Sequence, residues 1–118
     1  MTEDAVRVIT VDDLKTKMER GDRFQLVNAL GDWEHRASHI PGSVHLPTLS
    51  QALEALDMDD DVVVYCSNPD CLASCILYRG LEARGFRRLQ RFEGGLDAWE
   101  RAGLPLEGEA VAGSDPHD

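Results

Sequence analysis

The chain has 118 residues, enough for one domain around one core. Lys and Arg total 12 against 22 Asp and Glu, a net charge of −10 with a pI near 4.7. That balance excludes general phosphate-backbone binding, which needs basic patches, and disfavours an anionic membrane surface.

Val6-Arg7-Val8-Ile9 reads as a short first strand. Thr10 can cap the helix that follows, with Asp12 and Asp13 in its first turn, Val11, Leu14 and Met18 as its apolar stripe, and Gly21 as its stop. Phe24–Asn28 reads as a second strand and Asp32–Ala37 as a short helix. Ile40-Pro41-Gly42 is a turn, and Val44-His45-Leu46 a brief third strand closed by Pro47. Ser50 is the expected cap of a helix through Leu53 and Leu56, followed by an acidic turn at Asp57–Asp61.

Val62–Tyr65 is a continuous apolar run, the mark of a strand covered on both faces. The next helix is expected from about Leu72 to Arg84, with Leu72, Ile76, Leu77 and Leu81 inward and Gly85 at its end. Arg88–Phe92 is a fifth strand. Gly94-Gly95 leads into a last helix with Leu96, Ala98 and Trp99, stopped near Gly103. Strands alternating with helices predict parallel crossover units, with ligand sites at the carboxyl ends of strands. The domain is expected over residues 1–106, with 107–118 an acidic, disordered C-terminal tail.

Cys66 stands at one such strand end. The loop Cys66-Ser67-Asn68-Pro69-Asp70-Cys71 then runs into a helix at Leu72. Backbone N–H groups and the helix dipole are expected to gather around a thiolate there and lower its pKa, making Cys66 a nucleophile. Cys66, Cys71 and Cys75 are an odd number in one short stretch, a poor disulfide framework that fits a reducing compartment better. Met1-Thr2-Glu3-Asp4 has no basic n-region or apolar h-region, and no apolar run approaches the roughly 18 residues of a membrane span, so a soluble cytoplasmic protein is expected. The cysteine spacing is not a standard zinc pattern, and no metal or cofactor is called for.

At these residues the chain resembles the rhodanese family in its single-domain form. Four motifs carry the resemblance: Leu26-Val27-Asn28, His39-Ile40-Pro41-Gly42-Ser43, Val62-Val63-Val64-Tyr65-Cys66, and Glu93-Gly94-Gly95-Leu96-Asp97-Ala98-Trp99 with Gly103-Leu104-Pro105. The resemblance implies an α/β fold, a five-stranded parallel sheet flanked by helices on both faces. It also implies a sulfurtransferase in which Cys66 carries sulfane sulfur as a persulfide, taken from thiosulfate or from a persulfide donor and passed to cyanide or a thiol. Ser67, Asn68, Pro69, Asp70, Cys71 and Leu72 become the active-site loop. The partners are then a small-molecule or protein-borne sulfur donor and a thiophilic acceptor, with no nucleic acid and no membrane.

The chain departs from the family in two places. Many relatives carry Asp-x-Arg where Asn28 and Leu30 stand. Relatives also often place a cation in the loop, whereas this loop has Cys71 five residues after Cys66 and an acid, Asp70. Thiosulfate, a dianion, is therefore an unfavoured donor. Phosphatase relatives use a longer loop ending in Arg, so phosphoryl transfer is not expected. Cys71 reads either as an inert thiol or as a resolving thiol that attacks the Cys66 persulfide, and a low-turnover binding or regulatory module or a Cys66–Cys71 redox switch stands as the alternative function. Cys75 reads as a small buried hydrophobe, His39 as a structural hydrogen bonder, Trp33 and Trp99 as core or rim packing, and Arg84, Arg87, Arg88 and Arg91 as a solvated basic face. His35, His45 and His117 have no partner identifiable from sequence.

Overall fold

A computed structural model of the protein describes residues 6–68 and 70–109. Nine elements alternate along the chain: α1 (Val11–Glu19), β1 (Gln25–Asn28), α2 (Asp32–Ala37), β2 (Val44–His45), α3 (Leu49–Ala55), β3 (Asp61–Tyr65), α4 (Ala73–Ala83), β4 (Arg88–Phe92) and α5 (Gly95–Arg101). The strands form one sheet in the order β2-β1-β3-β4, and every pairing is parallel.

The side-chain period of two divides β3 between two cores. Val62 and Val64 face Ala52 of α3 and Leu56 just after it, Leu77, Tyr78 and Leu81 of α4, and Phe86. Val63 and Tyr65 face Leu14 of α1, Ile40, and Trp99 of α5. The four β3 side chains are fully buried, which explains the unbroken apolar run, and each valine contributes about 1.5–3 kcal/mol of burial.

The sheet has four strands rather than the expected five. The predicted first strand shrinks to a single parallel bridge, Val8 to Arg91, held by Arg91 N–H to the Arg7 carbonyl at 2.7 Å and Ile9 N–H to the Arg91 carbonyl at 3.0 Å. The reason is local. Thr10 accepts the Asp13 N–H at 3.1 Å and starts α1 one residue after Ile9, so the chain turns off the sheet edge.

Two further expectations change. Thr48, not Ser50, caps α3 by accepting the Gln51 N–H at 3.2 Å. Leu72, just before α4, and Ile76 on it are 63% and 69% exposed, while Ser74, Leu77, Tyr78 and Leu81 turn inward. That inward set follows the i, i+3, i+4, i+7 spacing of one helix face, and Leu72 and Ile76 lie off it. Gly85 ends the helix at φ +103° as expected. Trp33 is 72% exposed rather than packed, whereas Trp99 is buried, donates to the Pro105 carbonyl at 2.7 Å and meets Phe92 edge-on.

Of the expected tail, Glu107 pairs antiparallel with His39, and Glu109 N–H reaches the Arg36 carbonyl at 2.8 Å. Residues 110–118, His117 included, lie outside the described residues. Among the described residues no helix is long and apolar enough to cross a membrane.

Candidate active site

β3 delivers Cys66 to the carboxyl end of the sheet, where it is 1% exposed. Its Sγ lies 3.2 Å from the Cys71 carbonyl oxygen and 3.2 Å from Ser74 Oγ. As a thiol it donates to that carbonyl, while the Ser74 hydroxyl can donate to the sulfur. Burial and the Cys71 side chain push the Cys66 thiol up, and the Ser74 hydroxyl and N–H oppose them without prevailing. The resting Cys66 is therefore not the acidic thiol that its place at a helix entrance predicts. Cys71 is held below the ordinary thiol range: burial raises it, but the Cys66 thiol, the Ala73 and Ser67 N–H groups and the Ser67 hydroxyl outweigh that. The two thiols thus shift in opposite directions, Cys66 up and Cys71 down.

The reason Cys66 lacks the expected cradle lies in Asn68. Its side-chain Oδ1 accepts the Asp70 N–H at 2.9 Å and the Cys71 N–H at 3.1 Å. Two donors that could have faced the sulfur are thus committed to an Asx turn. Pro69 has no N–H to offer and lies outside the described residues. Ser67 and Cys71 are half-buried, and Asp70 and Leu72 are exposed. Cys75 is half-buried rather than buried.

A cation does serve the loop, from another element. Arg91 on β4 is 7% exposed, with Nε donating to Ser74 Oγ at 2.9 Å and Nη2 to the Cys71 carbonyl at 3.1 Å. Glu93 Oε2 lies 3.8 Å from Nη1. Arg91 thus departs from the solvated basic face, while Arg84, Arg87 and Arg88 are exposed as expected. Strand parity carried a signal for this, since residue 91 shares its face with core residue Leu89.

The glycine motif closes the site from the other side. Leu96 N–H binds the Cys66 carbonyl at 3.0 Å, and Asp97 N–H binds the Ser67 carbonyl at 2.9 Å. Gly95 sits at φ +62°, and a Cβ there would collide with the Cys66 carbonyl oxygen. Only glycine lets the start of α5 approach the loop so closely.

Two of the other motifs meet at Tyr65, which immediately precedes Cys66. Its hydroxyl accepts from Asn28 Nδ2 at 3.1 Å and from the Ile40 N–H at 3.0 Å, and donates to Ser43 Oγ at 2.9 Å. Asn28 Oδ1 in turn accepts the Leu30 N–H at 2.7 Å, so Asn28 is satisfied without an ion pair. His39 donates from Nδ1 to the His35 carbonyl at 2.8 Å, the structural role expected of it. His35 stacks between His39 and His45 at 4.1 and 4.6 Å. His45 Nε2 bonds the Leu30 carbonyl at 2.6 Å. Among the described residues no group of three His, Cys, Asp or Glu is arranged to hold a metal.

A buried thiol in a strand–loop–helix turn at the carboxyl end of a parallel sheet defines a cysteine-centred α/β domain. The family model of the rhodanese-like domain matches residues 10–102, and the chain belongs to that family. It is 34% identical over 107 residues to an HTH-type transcriptional regulator of Mycobacterium tuberculosis, covering 89% of this chain and 46% of the regulator. It is 35% identical over 72 residues to the thiosulfate sulfurtransferase GlpE of Actinobacillus pleuropneumoniae, covering 59% of this chain and 65% of that protein. The chain thus spans about half the length of the first relative and just under two thirds of the second. The solution structure of the rhodanese-like domain of the Anabaena Alr3790 protein superposes with a TM-score of 0.80 at 23% identity, covering 97% of this chain and 91% of that one, and shows the same fold. The family therefore includes named sulfurtransferases.

Proposed function

We propose that the chain is a sulfurtransferase that carries sulfane sulfur on Cys66. The observation that supports this best is the placement of Cys66: a buried sulfur at a strand end, within hydrogen-bond reach of Ser74, in a loop backed by Arg91. In the first step Cys66 loses its proton and, as the thiolate, attacks the outer sulfur of the donor. The donor's S–S bond breaks, its inner fragment leaves with the electron pair, and Cys66 becomes a persulfide. In the second step a thiol or cyanide acceptor attacks the outer sulfur and releases Cys66 as thiolate. The partners in this reading are a sulfur donor and a thiophilic acceptor, with no nucleic acid or membrane involved, in a reducing cytoplasmic compartment that keeps the three thiols free.

A persulfide donor, small or protein-borne, is favoured over thiosulfate. Arg91 lies beneath the loop rather than at its mouth, and the exposed acid Asp70 stands on the solvent side. A dianion entering from solvent meets the acid first. Intact mass after incubation with a low-molecular-weight persulfide, and separately with thiosulfate, tests the reading. One added sulfur, removed by cyanide and absent in Cys66→Ser, is the expected result, with the persulfide loading faster. No added sulfur from either donor refutes it.

A second reading rests on Cys71 standing on the same loop, with its carbonyl 3.2 Å from the Cys66 sulfur. Cys71 can attack the inner sulfur of the Cys66 persulfide, expel hydrosulfide and close a Cys66–Cys71 disulfide, which makes the loop a redox switch or the working part of a regulatory module. The 34%-identical relative named as a transcriptional regulator favours keeping that reading. Loss of two hydrogens under mild oxidation, abolished in Cys71→Ser, is its signature.

A further inference from the structure

We propose that Arg91 is a positioning residue that presents the Ser74 hydroxyl to Cys66 as a hydrogen-bond donor and pins the far end of the loop, so that negative charge on the Cys66 sulfur is accommodated there. This deepens the sulfur-carrier reading and rests on it. The geometry is a closed ring. Arg91 Nε reaches Ser74 Oγ at 2.9 Å, Ser74 Oγ reaches Cys66 Sγ at 3.2 Å, Cys66 Sγ reaches the Cys71 carbonyl at 3.2 Å, and that carbonyl accepts from Arg91 Nη2 at 3.1 Å.

Once the Cys66 proton is donated to the Cys71 carbonyl or gone, the bond between Ser74 and the sulfur runs from the hydroxyl to the sulfur. A guanidinium only donates, so Ser74 Oγ accepts from Arg91 and keeps its single proton for another partner. The sulfur at 3.2 Å is the partner aligned to take it. A hydroxyl that accepts from a cation is a stronger donor, and the bond is strongest when the sulfur is ionised. The second arm matters as much. In the neutral state Cys66 spends its own proton on the Cys71 carbonyl, and once that proton leaves, the carbonyl would turn its lone pairs on a bare anion. Arg91 Nη2 already engages that oxygen and withdraws part of its charge. One side chain therefore prepares both neighbours of the sulfur for the anionic thiolate and for the persulfide anion that follows.

The ring also answers why a buried arginine is tolerated here. A guanidinium at 7% exposure needs compensation, and Glu93, itself 47% exposed at 3.8 Å, lies partly in water. Negative charge on the loop sulfurs adds to the partners that hold it. The ionisable residues of the loop and of its bonded neighbours are Cys71 and Asp70 on the loop, Arg91 on β4 with its ion-pair partner Glu93, and Asp97, whose N–H binds the Ser67 carbonyl. Arg91 is the cation of that set, and it is the one joined to the sulfur through a single hydroxyl.

The test is the rate of Cys66 alkylation by iodoacetamide against pH, read by peptide mapping so that Cys71 and Cys75 are scored apart. The variants are Arg91→Gln, Arg91→Lys and Ser74→Ala. Arg91→Gln and Ser74→Ala are each expected to move the Cys66 midpoint up by about one pH unit, with about tenfold slower alkylation at pH 7, the scale of one charge-assisted bond. Arg91→Lys keeps the charge but loses the fork, and falls between. A folded Arg91→Gln with an unchanged Cys66 midpoint overturns the proposal. Where Arg91→Gln fails to fold, Ser74→Ala decides: a shifted midpoint supports the proposal and an unshifted one overturns it. Alkylation does not depend on sulfur transfer. A shifted midpoint in a protein that never gains sulfur leaves the positioning role standing and refutes the sulfur-carrier reading alone.

Discussion

Tyr65→Phe removes one oxygen and leaves the ring in place. In the folded protein that oxygen joins β1, β3 and the turn after α2, through Asn28 Nδ2, the Ile40 N–H and Ser43 Oγ. Asn28 and Ile40 are both 0% exposed, so water cannot replace the lost acceptor. Each stranded donor costs about 1–3 kcal/mol. Ser43 is half-buried and can turn to solvent, and burying Phe instead of Tyr returns about 1 kcal/mol of desolvation. The expected loss is about 3 kcal/mol. With an unfolding entropy of about 2.1 cal/mol/K per residue, 118 residues convert this to a fall in Tm of about 12 °C. Urea titration followed by far-UV circular dichroism measures the loss, with an unchanged m-value showing that the native and denatured ensembles keep their compactness. Ser43→Ala removes the acceptor of the buried Tyr65 hydroxyl proton, one stranded donor against two, and is expected to cost about 1 kcal/mol. A Tyr65→Phe loss no larger than that of Ser43→Ala would refute the argument, since it means the two donors have other partners.

Gly95→Ala places a Cβ against the Cys66 carbonyl at a positive φ, so the loop and α5 must separate; loss of stability of about 2 kcal/mol and of sulfur loading together are expected, by urea titration and intact mass. Cys71→Ser removes the side chain that helps push Cys66 up, so Cys66 alkylation at neutral pH is expected to become faster, not slower, with a midpoint below that of the parent chain. His35, stacked between two histidines with a buried Nδ1 that has no hydrogen-bond partner among the described residues, is lowered to about 4 by burial first and by His39 and His45 after it. The native state then binds fewer protons than the unfolded chain between pH 4 and 6.5. The contribution of His35 is complete above about pH 6.5 and is lost as pH falls towards 4, by about 1–2 kcal/mol once solvent screening of a half-buried ring is allowed for. His35→Phe keeps the stack and is expected to flatten that part of the stability profile, and an unflattened profile assigns the pH dependence to other groups.

The order of elements, the turn residues and the two-sided burial of Val62–Tyr65 were legible in the sequence, because each follows from periodicity or local backbone chemistry within a few residues. Cys66 at a strand end belongs with them. So does the need for glycine beside it, since Gly94-Gly95 marks a close backbone approach even before its target is known. The length of the first strand was not legible. A run of β-branched residues states a preference, but the Thr10 cap one residue later decides how far the chain follows the sheet edge.

The charge of the site was decided only in three dimensions. Along the chain the loop from Cys66 to Ser74 has no cation, and Arg91 reads as one of four arginines on a wet surface. Folding brings Arg91 across 17 residues to Ser74 and 20 to Cys71, under a loop that shuts it away from water. Proton affinity behaves the same way. A strand end before a helix argues for an acidic Cys66, but burial, the Cys71 side chain and the capture of two loop N–H groups by Asn68 leave Cys71 the more acidic thiol. Which backbone conformation a segment prefers is a local property of its residues. Which way a sulfur titrates depends on every dipole and charge within a few ångströms, and only the tertiary structure says which those are.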